Sequence, residues 1–154
     1  MEEKLEQGIT LIVDRYSYSG VAFSAAKKIP GLTVEWCAAP EVGLPKPDAV
    51  LFMTLTPEQA EARGGFGAER YETTERQATV RELFASLHDP AYWRTIDAGR
   101  SVNKVAADVT LTAWNTIASA QNKPLEELWS SDSDLPSTPS SMKPPLTTET
   151  AESR

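Results

Sequence analysis

The chain has 154 residues, 40% of them hydrophobic and 8% aromatic, enough for one domain with a core of its own. A net charge of −7 argues against a general nucleic-acid surface, which carries a basic excess. The single cysteine, Cys37, excludes an internal disulfide and fits a reducing compartment, and no apolar run approaches the ~18 residues of a membrane span.

The acidic start, "MEEKLEQG", is not that of a signal or transit peptide. These features predict a soluble cytoplasmic protein with neither nucleic acid nor membrane as a partner; the nucleus and mitochondrion stay open. Three short runs rich in β-branched and aromatic residues read as strands: Ile9–Val13, Ala49–Leu55 and Trp93–Ile96. The first two are nearly continuous in hydrophobicity, as parallel strands covered on both faces are. Helices fall between and after them. Thr56-Pro57-Glu58-Gln59 combines an N-cap threonine, proline in the first turn and glutamine at the closing position of a capping box. Val80, Leu83, Phe84 and Leu87 recur at helical spacing until "HDP" at 88–90 stops the helix, and Val102, Val105 and Val109 begin another that ends near Asn122. Strands alternating with helices predict an α/β fold with a parallel sheet. The segment 130–154 is rich in Ser, Thr and Pro without a periodic apolar face, which predicts a disordered tail after a domain spanning 1–129.

Ligands of open α/β sheets bind beyond the carboxyl ends of the strands, and Asp14–Arg15 directly follows Val13. The planar fork of an arginine holds two phosphate oxygens at once, a carboxylate beside it can hold Mg²⁺ directly or through water, and Ser19-Gly20 opens a helix whose free N–H groups favour anions. A local ion pair capping the strand is the plainer reading. "ARGGFGAERYE" at 62–72 places three glycines between Arg63 and Arg70, which suits a lid closing over phosphates; an ordinary solvated loop carries the same composition. "IDAGRS" at 96–101 is another strand end, with Gly99 for a tight turn and Arg100 within reach of a base or phosphate. His88 reads as structural or surface, and Trp36, Trp93, Trp114 and Trp129 as core or helix-sealing residues.

"IVDRYSYSGVAFS" resembles the signature of the thymidylate kinases position by position. "GLPKPDAVLFMTLTPEQAEARGGFGAERYE" resembles the strand, helix and lid of the eukaryotic branch, and "NKPLEELW" its end, so the resemblance covers about residues 5–129. It implies a P-loop kinase-type, three-layer α/β/α fold with a parallel sheet, and transfer of the ATP γ-phosphoryl group to dTMP with Mg²⁺ as cofactor. It also implies roles: Arg15 on the dTMP phosphate, Asp14 near Mg²⁺, Gly20 against the nucleotide and Phe23 stacked on thymine. Arg63 and Arg100 would approach ATP, Arg70 would meet transition-state charge, and Tyr71 and Gln77 would close over dTMP. Arg76 stands where the family usually has an aromatic. The family's dimers imply a homodimer. No G-x-x-x-x-G-K-[ST] loop, which such a kinase needs for the β- and γ-phosphates, occurs in the 154 residues. The expectation is therefore an N-terminally truncated member, its first strands and phosphate loop absent, with little or no activity alone. The other reading is a non-catalytic nucleotide-binding or regulatory remnant.

Overall fold

The computed structural model describes residues 1–63, 74–131 and 134–142. Helix α1 is Glu2–Glu6, α2 is Ser17–Ala25, and α3, Val34–Ala38, runs on into a 3-10 turn at Ala39–Glu41. Strand β1 (Val50–Thr54) leads to α4 (Pro57–Ala62), α5 (Thr74–Leu87), β2 (Trp93–Asp97) and α6 (Val102–Ala120). The capping box at Thr56 forms as its sequence dictates: the Thr56 hydroxyl accepts the Gln59 amide N–H at 3.2 Å, and the Gln59 side chain accepts the Thr56 N–H at 2.9 Å.

β1 and β2 pair in parallel, with Val50 opposite Trp93 and Thr54 opposite Asp97. A parallel pair needs a long crossover, and α4 and α5 lie within it. The core gathers Val21, Ala22 and Ala25 of α2, Val34 and Ala38 of α3, Val80, Leu83 and Leu87 of α5, Trp93 of β2, and Leu128. Tyr18 seals it: its hydroxyl donates to the Tyr92 hydroxyl at 3.0 Å, and its ring meets those of Trp93 and Trp129 edge-on at 4.9 and 5.8 Å. Aromatic edges against faces add to what burial alone supplies.

The sequence expectation differs from the structure at three places. Ile9–Val13 is not a strand; Ile12 is 93% exposed, and the sheet among the described residues has two strands. Strand propensity becomes structure only where a neighbouring strand takes the backbone N–H and C=O groups, and among the described residues Ile9–Val13 has no such neighbour. Trp36 and Trp114 are not core residues but exposed ones. The tail expected to be disordered contains a strap, 134–142, whose Leu135 and Met142 pack against the core and whose end forms a 3-10 turn at Ser140–Met142. The glycine-rich loop with Arg70 and Tyr71 lies outside the described residues.

Candidate functional site

The loop before α2 and the first two turns of that helix form one wall of an open cleft of about 520 Å³. Tyr16, Gly20, Phe23 and Lys27 recur at helical spacing, so one face of α2 and its C-terminal extension lines it. Arg15 stands at the mouth with a φ of +65°, left-handed backbone that costs a side-chain-bearing residue about 1–2 kcal/mol. From there its guanidinium carbon lies 5.2 Å from the centroid of the Phe23 ring, within cation–π range. The Phe23 ring also meets Phe84 of α5 edge-on at 6.3 Å, which fixes its orientation.

The opposite side comes from elsewhere in the chain. Arg76 of α5 lines the cleft and donates through Nη2 to the Phe23 carbonyl at 3.4 Å. Glu41, in the turn after α3, accepts the Ser17 hydroxyl at 3.1 Å. Tyr16 donates its hydroxyl to the Pro45 carbonyl at 3.0 Å; partial burial and the Glu41 carboxylate push its phenol above the ordinary value, so it stays a neutral donor. Among the described residues that line the cleft, Arg15, Lys27 and Arg76 are basic and Glu41 is acidic, in a chain whose net charge is −7. The N-cap residue of α2, Tyr16, makes no side-chain cap; its carbonyl accepts the Ser19 N–H at 3.0 Å, and the positive end of the helix dipole faces the cleft mouth, where it favours an anion. The arrangement suits an anion attached to a flat apolar group: oxygens toward Arg15 and the helix end, the plane toward Phe23.

Of the residues singled out in the sequence, Arg15, Ser19, Gly20 and Phe23 meet here. Asp14 is exposed and does not line the cleft, and on α5 it is Arg76 rather than Gln77 that does. Tyr16, Ser24 and Lys27 escaped the sequence reading, although their spacing on α2 was the available signal. Arg63 and Arg100 form a second group at the carboxyl ends of the strands. Arg63 caps the C-terminus of α4 and donates to the Ala98 carbonyl; Arg100 donates to the Asp97 carbonyl at 3.1 Å and pairs with the Asp97 and Asp108 carboxylates. Neither lines the cleft. Among the described residues no three His, Cys, Asp or Glu side chains gather as a metal cage. Asp14, next to Arg15, is an exposed carboxylate of the kind that can serve Mg²⁺ as one of its few protein ligands.

The family model for thymidylate kinase matches residues 1–109. The chain is 48% identical over 131 residues to the thymidylate kinase of Danio rerio, and 44% identical over 131 residues to that of Homo sapiens; each match covers 84% of this chain and 61% of the relative. A solved thymidylate kinase from Candida albicans superposes with a TM-score of 0.62 at 31% identity, over 79% of this chain and 62% of that one. The chain belongs to the thymidylate kinase family, a family of phosphotransferases with the P-loop kinase type of α/β fold. It spans about three fifths of the length of these relatives.

Proposed function

We propose that the chain is the part of a thymidylate kinase that holds dTMP while ATP phosphorylates it to dTDP, and that the 154 residues alone do not turn over. The observation that carries the dTMP site is the cleft itself, where the Arg15 guanidinium lies over the Phe23 ring at the start of α2. Arg15 and the α2 amides take the phosphate, and Phe23 faces the base. Arg63 and Arg100 belong to the ATP side, as does Arg70 in transition-state stabilisation; Tyr71 and Gln77 close over dTMP. Asp14 would help hold Mg²⁺, which would supply charge neutralisation for phosphoryl transfer. The family's phosphate loop carries much of the electrostatic stabilisation of phosphoryl transfer, and its motif does not occur in these residues. A second copy of the chain is its proposed partner, which the exposed Leu111 and Trp114 of α6 would favour.

Two measurements test this. Calorimetry should detect dTMP binding to the chain, weakened roughly tenfold to a hundredfold in Arg15→Ala, the equivalent of about 1.5–3 kcal/mol for a charge-assisted contact. A coupled ADP-release assay with dTMP and Mg-ATP should show no turnover near the ~1–100 s⁻¹ of ordinary kinases. Equal affinity in Arg15→Ala refutes the cleft assignment, and ordinary turnover refutes the need for the loop.

A further inference from the structure

The strap 134–142 lies beyond residue 109, where the family match ends, and nothing in the phosphoryl-transfer reading uses it. Most of its polar contacts converge on one side chain. The Thr138 hydroxyl donates to Glu35 Oε2 at 2.6 Å, the Thr138 amide N–H donates to Glu35 Oε1 at 2.7 Å, and the same hydroxyl oxygen accepts the Val34 N–H at 3.0 Å. Ser141 adds a hydrogen bond to Glu82 of α5. One threonine thereby ties the strap to the start of α3.

That threonine precedes Pro139. The sequence contains two Ser/Thr-Pro steps, Thr56-Pro57 and Thr138-Pro139. Thr56 is the N-cap of α4 and Pro57 its first residue, so the first step is built into a helix start. Thr138 lies outside any helix, and a residue before proline is biased toward extended backbone, the form in which a peptide lies along another protein's groove. Its neighbours Ser137 and Ser140 are exposed.

We propose that Thr138 is a phosphorylation site for a proline-directed serine/threonine protein kinase, and that the phosphate detaches the strap from α3. In the step, the Thr138 hydroxyl oxygen attacks the γ-phosphorus of the protein kinase's Mg-ATP. The new Oγ–P bond forms as the bond to ADP breaks, and the hydroxyl proton passes to the protein kinase's catalytic base. The product has lost the hydrogen it donated to Glu35 and carries a charge of about −1.5 to −2 at pH 7. The Glu35 carboxyl is ionised at that pH: partial burial pushes it up, but hydrogen bonds, first those from the Thr138 hydroxyl and amide and then those from its own backbone and Thr33, outweigh burial and hold it at about 2. A dianion against a carboxylate, with the hydroxyl donor gone, reverses the sign of the contact.

The test treats the 154-residue chain with a proline-directed protein kinase and Mg-ATP, maps phosphate by mass spectrometry, and follows hydrogen exchange of the Val34 amide by NMR. The expected result is phosphate on Thr138, absent from Thr138→Ala. Its rate should rise several-fold in Glu35→Ala, where the hydroxyl is no longer held, and Val34 exchange should quicken at least tenfold once the phosphate is on. Phosphate elsewhere only, an unchanged rate in Glu35→Ala, or unchanged Val34 protection after phosphorylation each overturns the proposal. None of these readouts depends on the dTMP kinase reading.

Discussion

Arg15 holds two opposed properties in one residue. Its left-handed backbone is unfavourable for any side chain, while its guanidinium lies over Phe23 at the mouth of the cleft. Strain of this kind persists where the surroundings over-determine it, and here the cost accompanies an anion-binding group. Arg15→Ala keeps the strain and loses the charge; Arg15→Gly loses both. The glycine variant should therefore be about 1 kcal/mol more stable than the alanine variant, and equally poor at binding dTMP. Denaturant melts of the two check it, and equal midpoints would count against strain at this position. Gly99 is constrained differently. A Cβ there would lie 2.1 Å from the Gln59 side-chain nitrogen, so Gln59 must move and give up its bond to the Thr56 N–H. Gly99→Ala should cost about 0.5–1.5 kcal/mol, the value of that one hydrogen bond, and should cost nothing further in a Gln59→Ala background. An undiminished cost in that background would place the clash elsewhere.

At the scale of elements, the strap shows how little sequence signal a docked segment needs. Leu135 and Met142 supply the apolar contact and Thr138 the polar one. Because the Glu35 carboxyl sits at about 2 in the folded chain against an ordinary 4.5, its contribution to stability is complete above pH 4.5 and is lost as the pH falls from there toward 2. Thr138→Val removes the hydroxyl that does much of the lowering. The wild-type chain should lose more stability than Thr138→Val across that acid window, measured by thermal melts at stepped pH. Parallel losses would show that Glu35 gains nothing from Thr138. Across the cleft, α2 and α5 act together: Phe23 meets Phe84, and Arg76 reaches the Phe23 carbonyl, so displacing α5 would move both the ring and a cation.

For the whole molecule, the two-stranded sheet is the decisive feature. β2 occupies one side of β1, and among the described residues no strand pairs with the other. Met53 on β1 is 59% exposed, and Ile12 nearly wholly so. An open apolar edge is a template for another chain, and a lysine on such an edge is a common natural guard. The 154-residue chain should self-associate with rising concentration and bind hydrophobic dyes, and Met53→Lys should reduce both. Sedimentation velocity decides: a wild-type chain that stays monomeric at high concentration would mean the edge is covered some other way.

Which parts were legible beforehand follows from the range of the forces involved. Helix starts and stops are local: Thr56, Pro57 and Gln59 satisfy one another within four residues, and the helix carrying Val80, Leu83 and Leu87 stops before "HDP". One wall of the cleft was equally local, because Arg15, Gly20 and Phe23 sit within three turns of chain. Arg76 was not; it reaches the cleft only because the core packs α5 against α2, a contact that no local pattern encodes. Arg100 follows the end of β2, while Arg63, expected in the lid, ends α4; their partners, the Ala98 carbonyl and the Asp108 carboxylate, came from tertiary packing. Ile9–Val13 carries the composition of a strand, yet a strand is a property of two segments. The sequence by itself determined the family signature, the helix boundaries and the charge of the cleft's first wall. Tertiary structure alone decided which apolar run found a partner, which arginine closed the cleft, and that a Ser/Thr/Pro tail would turn back onto Glu35. Those depend on groups far apart in sequence meeting in space, where burial and hydrogen bonding set the outcome.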